Sequence, residues 1–146
     1  MDDLVLSESL PTPTEFIALR AQMGWGTIDD ETARQTIARA CFTVCLRTQG
    51  RLLGLARVMG DGALYFFISD VIVSPELQGG GHGATLMSAV TAYLKRAAKP
   101  GASITLQPLK GREGFYERFG FVRCPRDMFG AGMVFANVPP PMGAPA

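Results

Sequence analysis

The stretch Val71-Ile72-Val73-Ser74-Pro75-Glu76-Leu77-Gln78-Gly79-Gly80-Gly81-His82-Gly83 constrains the fold more than any other part of the chain. An apolar, β-branched segment stops at Ser74-Pro75, glycines crowd together from Gly79 to Gly83, and an amphipathic pattern then begins. That order builds a strand, a tight turn and a helix N-terminus. The first N–H groups of such a helix have no intrahelical partners and sit at the positive end of its dipole, so the turn suits a phosphate. Glycines let the backbone take positive φ and let an anion come close without a Cβ in the way. A phosphate-bearing ligand is the first expectation.

Details of the loop narrow the choice. A nucleoside-triphosphate P-loop needs Lys and then Ser or Thr after its last glycine, whereas Gly83 is followed by Ala84-Thr85. A dinucleotide fingerprint needs G-x-G-x-x-G and an acidic residue about twenty positions on. The glycine spacing differs, and the later stretch reads Ala97-Ala98-Lys99-Pro100-Gly101-Ala102. Gln78-Gly79-Gly80-Gly81-His82-Gly83 instead fits Q/R-x-x-G-x-G/A and resembles the pyrophosphate loop of the GNAT superfamily of N-acetyltransferases. Gly114-Phe115-Tyr116-Glu117-Arg118-Phe119-Gly120-Phe121 is similar to the same superfamily's F-Y-x-x-x-G-F motif. The resemblance spans roughly Phe42 to Phe135. Within it, Asp70-Val71-Ile72-Val73 and Gly132-Met133 look like the arylalkylamine (serotonin-type) acetyltransferases of plastids and cyanobacteria.

The resemblance implies acetyl-CoA as cosubstrate and direct transfer of its acetyl group to a primary amine within a ternary complex. It also implies an α/β fold with a mixed, mostly antiparallel sheet of about six to seven strands, flanked by about four helices. Two neighbouring parallel strands should splay, with the pantetheine arm lying between them. Gln78, Gly79, Gly80, Gly81, His82, Gly83 and Ala84 would hold the pyrophosphate, His82 through its amide with the ring facing solvent. The strand end Val71, Ile72, Val73 would pair with the pantetheine amides. Tyr116 matches the residue that protonates the departing thiolate; a phenol near ~10 and a thiol near ~8.5 are close enough for that. Read without the family, Tyr116 is an aromatic core residue among Phe115, Phe119 and Phe121. One departure from the family pattern is that Leu106 to Glu113 contains no Asn.

Asp70 is the second candidate catalytic residue. With Ser69 it breaks an otherwise apolar strand, where a carboxylate is costly unless paired or functional. It either orients an acceptor ammonium and helps remove its proton, or is a satisfied structural carboxylate marking a bulge. Lys110 and Arg112 either reach phosphates or are solvated. Trp25, Tyr65, Phe66, Phe67 and Phe129 are candidates for an aromatic acceptor pocket, or core.

Composition excludes several classes. The chain has 146 residues, 47% hydrophobic and 18% charged, with a formal net charge of +1. That is one domain with room for a core and no field to recruit nucleic acid or an anionic membrane. Cys41, Cys45 and Cys124 lack metal-ligand spacing and His82 is the only histidine, so no metal is expected. Met1-Asp2-Asp3 opens without a signal-peptide pattern and no apolar run is long enough to span a bilayer. A cytoplasmic monomer or homodimer acting on a small amine is the expectation. A protein or peptide N-acetyltransferase, and a non-catalytic acyl-CoA-binding sensor or scaffold, are the alternatives.

Along the chain, Leu4-Val5-Leu6 reads as a strand, and Thr12-Pro13-Thr14-Glu15 as a capping box opening a helix. A second helix follows from about Asp29 to Ala40. Strands are expected from Phe42, over Leu52–Val58 and over Ala63–Val73. A long helix follows the glycines until Lys99-Pro100-Gly101. Ser103–Gln107 reads as a strand and Gly111–Phe119 as a helix, with further strands at Gly120–Arg123 and Met133–Phe135. Residues 1–137 form the acetyl-CoA-binding domain, and 138–146 a Pro-rich tail expected to be disordered.

Overall fold

The computed structural model describes residues 3–143. Its sheet runs in the order β1-β2-β3-β4-β5, comprising Val5–Ser7, Phe42–Thr48, Arg51–Gly60, Tyr65–Val73 and Ser103–Leu106. The first three neighbouring pairs are antiparallel, and β4 with β5 is parallel. Helices α1 (Pro13–Gln22) and α2 (Asp30–Ala38) precede β2, α3 (His82–Ala97) crosses from β4 to β5, and α4 (Glu113–Glu117) follows β5.

Helix starts follow the local chemistry. The Thr12 hydroxyl accepts from the Glu15 N–H at 3.2 Å, and the Glu15 carboxylate accepts from the Thr12 N–H at 2.9 Å, closing the capping box. Asp29 caps α2 by accepting from the Thr32 N–H at 2.7 Å. At the β3–β4 turn the Asp61 carboxylate accepts from the N–H groups of Ala63, Leu64 and Tyr65. Those bonds hold the chain in the turn, so β4 begins at Tyr65 and not at Ala63 as the apolar run suggests.

Two apolar layers cover the sheet. On one face Phe42, Val44, Leu46, Ala56, Val58, Phe66 and Ile68 pack against Leu86, Met87, Val90 and Leu94 of α3. On the other, Cys45, Leu55 and Ile72 pack against Phe16 and Leu19 of α1 and Ala33 and Ile37 of α2. Each such large side chain contributes roughly 1.5–3 kcal/mol by leaving water.

A β-bulge interrupts β4. Leu55 pairs with Ile72 and Arg57 with Ser69, so Ala56 alone opposes Asp70 and Val71. Asp70 takes a left-handed conformation, φ 52°, which Asp tolerates better than most residues. The bulge reverses the alternation of the strand. Phe66 and Ile68 face α3 before it; after it, Val71 and Val73 pack on the α3 side and Ile72 turns to α1 and α2.

The expected six to seven strands are five among the described residues. Neither Gly120–Arg123 nor Met133–Phe135 pairs with the sheet. Met133, Val134 and Phe135 are 95%, 74% and 79% exposed. The physical reason lies in β5, which offers a four-residue edge that ends before Pro108, and in Gly130 and Gly132, which weaken any strand beside them. The α4 segment is also shorter than the expected Gly111–Phe119. Further on, the Thr27 N–H donates to the Met142 carbonyl at 2.9 Å. Residues 144–146 of the expected tail lie outside the described residues.

Candidate active site

The parallel pairing of β4 with β5 covers only Tyr65 to Ile68, opposite Ser103 to Leu106. Beyond that point β4 continues to Val73 with no strand on its β5 side among the described residues. The bulge at Asp70-Val71 and the Gln107-Pro108 stop of β5 fall at the same level, and together they open the gap. Backbone amides and carbonyls of β4 are thereby left available to a ligand lying along the edge.

The glycine loop leaves the end of β4. After Ser74 comes a single turn of 3-10 helix, Pro75–Leu77, and then Gln78, whose side-chain amide donates to the Val73 carbonyl at 3.1 Å. Gly79 and Gly81 have φ of 87° and 80°, a backbone that residues with a Cβ rarely adopt. Gly81 is the N-cap of α3 and supplies no side chain, so the first amides of α3, His82 to Ala84, have no side-chain cap. The His82 ring departs from expectation. It is half-buried and folds back over Gly80, where an added Cβ would meet its Nε2 at 2.9 Å.

Gly83 joins three elements. A Cβ built there would lie 3.3 Å from Cζ of Phe115 on α4 and 4.0 Å from Cγ2 of Val73 on β4. Tyr116 follows Phe115, half-buried, with its ring edge-on to Phe115 at 5.0 Å and to Phe121 at 6.3 Å. Burial pushes its phenol pKa above the ordinary value of 10.0, with the Arg112 guanidinium opposing weakly. The Tyr116 hydroxyl makes no hydrogen bond among the described residues. Lys110 and Arg112 are exposed. Ile72 is wholly buried toward α1 and α2, so only its backbone faces the gap; Val71 and Val73 are half-buried.

Asp70 is held from two sides. Its Oδ1 accepts from Nη1 of Arg20 at 2.6 Å and its Oδ2 from Nη1 of Arg57 at 2.6 Å. Arg57 is 2% exposed, and its Nη2 also donates to the carbonyl and hydroxyl of Thr36. Phe16 lies beside both guanidinium groups, 5.6 Å from Arg20 and 5.0 Å from Arg57, and Trp25 lies 5.3 Å from Arg20. Phe16, Arg20, Arg57 and Asp70 border a cleft of about 230 Å³ between α1, α2 and the sheet. Sequence reasoning missed both arginines. Arg57 was detectable: it is the one charged residue inside the apolar run Leu52 to Met59, and the hairpin register sets it opposite Ser69.

Of the candidate aromatics, Phe66 is core at 2% exposure and packs edge-on to Tyr93. Tyr65, Phe67 and Phe129 are exposed, and Trp25 alone adjoins the arginine cluster. No helix of the described residues is long and apolar enough to cross a membrane.

An α/β sheet whose parallel pair parts beside a glycine loop and an uncapped helix defines a coenzyme-A-dependent acyltransferase fold. Residues 19–138 match the family model of the acetyltransferase (GNAT) domain, and the chain belongs to that family. It is similar to a probable acetyltransferase of unknown function from methicillin-resistant Staphylococcus aureus, at 30% identity over 90% of this chain and 98% of that one, with a TM-score of 0.81. A GNAT-family acetyltransferase from Streptococcus pneumoniae shares the fold at 23% identity, with 92% and 98% of the chains covered and a TM-score of 0.74. So does N-acetylglutamate synthase from Neisseria gonorrhoeae, complexed with coenzyme A and L-arginine, at 21% identity. That likeness covers 81% of this chain and 27% of that one, with a TM-score of 0.63. No curated protein matches the sequence at a significant level.

Proposed function

We propose that this GNAT-family acetyltransferase acetylates the primary amine of a small molecule, by direct transfer from acetyl-CoA in a ternary complex. One observation carries the reading. The glycine loop, the open edge of β4 and the helix bearing Tyr116 converge on Gly83, where an added Cβ would meet both Phe115 and Val73. Acetyl-CoA, when bound, supplies an activated acyl group as its thioester.

The chain's own residues divide the remaining work. Gln78 and the backbone from Gly79 to Ala84 bind the pyrophosphate, in a cradle where a Cβ at Gly83 would crowd Phe115. Backbone groups of Val71, Ile72 and Val73 hold the pantetheine arm along the edge that β5 leaves open. Tyr116 Oη carries its proton throughout the neutral range, since burial raises its pKa, and is the group that gives a proton to a departing thiolate. Asp70 serves the acceptor side by fixing Arg20 and Arg57. Both of its oxygens are engaged by the two guanidinium groups. A cleft of about 230 Å³ suits a small amine better than a polypeptide segment. The arylalkylamine likeness rests on Asp70–Val73 and Gly132-Met133 alone.

Turnover of acetyl-CoA against a panel of small amines, with release of free thiol as the readout, tests this. Acetyl-CoA that binds without turnover of any amine favours the sensor alternative and removes the enzymatic reading.

A further inference from the structure

The arginine pair behind Asp70 carries more positive charge than Asp70 balances. Arg57 is engaged on both terminal nitrogens, by Asp70 and Thr36, and by itself neutralises the carboxylate. Arg20 is then a second cation on an anion already paired. It spends only Nη1 on Asp70; its Nη2 and Nε donate to nothing among the described residues. Its side chain is 22% exposed and lines the cleft, between the rings of Trp25 and Phe16. Ser69 lines the same cleft, and its hydroxyl makes no hydrogen bond among the described residues. The buried Nε of Arg57, a residue that also lines the cleft, has no partner either.

A purely structural ion pair explains Arg57 but not Arg20. Removing a guanidinium from water is costly, and holding it beside aromatic rings with one edge unused makes sense when that edge has a ligand. An ammonium entering alone would meet two cations and one anion at short range, a net repulsion in a partly dry site. An amine that brings its own negative group turns that repulsion into binding.

Resting on the acetyltransferase reading, we propose that the cleft is an anion subsite and that the acceptor is an amine carrying a carboxylate or a phosphate, its anionic group seated on the free edge of Arg20. The amine is thereby directed toward the β4 bulge and the anion kept behind it. Arg57 and Asp70 are positioning residues for Arg20.

Matched acceptors test this: phenylalanine against phenethylamine for the carboxylate, and O-phosphoethanolamine against ethanolamine for the phosphate. In at least one pair the anionic member should have the higher kcat/KM, by roughly 10–100-fold, the range of a hydrogen bond to a charged group. Arg20→Ala and the milder Arg20→Gln should bring the members of that pair to within ~3-fold of each other. Turnover with no preference for either anionic member overturns the subsite while leaving the acetyltransferase reading intact. If no amine is acetylated, that reading fails and thermal melts decide the subsite separately. Inorganic phosphate or glutarate should raise the melting temperature of the wild-type protein and not of Arg20→Gln; equal or absent shifts overturn the proposal.

Discussion

Gly83 and Phe115 meet so closely that a Cβ on the glycine would lie 3.3 Å from the ring. The first turn of α3 and the helix carrying Tyr116 therefore lie side by side here, and a side chain added in the loop would press on the neighbour of the proposed acid. Alanine at this position asks Phe115 to give by a few tenths of an ångström. A leucine cannot be seated without displacing the ring.

Gly83→Leu should accordingly lose the stabilisation by acetyl-CoA that the wild-type protein shows. That stabilisation is about 2.7 kcal/mol at a hundredfold excess over Kd for a ligand that binds only the folded chain. The melting temperature without ligand should also fall somewhat as Phe115 is displaced, so the readout is the shift that acetyl-CoA adds to each protein. Thermal melts with and without acetyl-CoA check both statements. Undiminished ligand stabilisation in the variant would remove the loop from cofactor binding.

Tyr116→Phe keeps the ring that packs against Phe115 and Phe121 and removes only the hydroxyl. We expect kcat to fall by ~10²–10⁴-fold with acetyl-CoA affinity unchanged. Single-turnover kinetics and calorimetry on one preparation separate the two quantities. Full activity in the variant would reduce Tyr116 to packing.

Asp70→Asn isolates charge, since Asn tolerates the left-handed backbone at this position as well as Asp does. It leaves the 2%-exposed Arg57 without a counter-ion, so a loss of roughly 3 kcal/mol in folding stability is expected by denaturant titration. KM for the acceptor should rise more than kcat falls. An unchanged stability would contradict the ion-paired role.

Glu15 gives a pH signature. Arg47 donates to its carboxylate with two nitrogens, and this pairing, against the opposing effect of burial, lowers the Glu15 pKa from 4.5 to about 2. A folded pKa below the unfolded one contributes stability that is complete above about pH 5 and is lost as pH falls toward 2. Glu15→Gln should flatten this part of the stability–pH curve, measured by urea unfolding between pH 6 and about 2.5. A curve parallel to the wild type would show that α1 is held to β2 by packing alone.

Much of this arrangement could be read from local signals. Thr12 and Glu15 announce a helix start within four residues of chain, and the loop from Gln78 to Gly83 carries its own chemistry. What escaped depends on distant partners. Arg20 and Asp70 are fifty positions apart and meet only because α1 packs on the face to which the bulge turns. Phe66 and Phe67 look alike in sequence, yet one is core and the other open to water, a difference set by strand phase. Met133–Phe135 has strand-forming side chains, but β-propensity expresses fit to a neighbouring strand, and among the described residues none is beside it.

The extra residue opposite Ala56 also bears on how such a chain can change over time. Upstream of the bulge the even-numbered side chains of β4 point to α3; downstream the odd-numbered ones do. Deleting one residue there would remove the extra position and restore plain alternation, with Val73 still on the α3 side and Ile72 still toward α1 and α2. Neither apolar layer therefore depends on the kink. What depends on it is the left-handed turn that carries the Asp70 carboxylate to Arg20 and Arg57. Loss of the bulge is a single step that the core would accept and the ion-paired cluster would not.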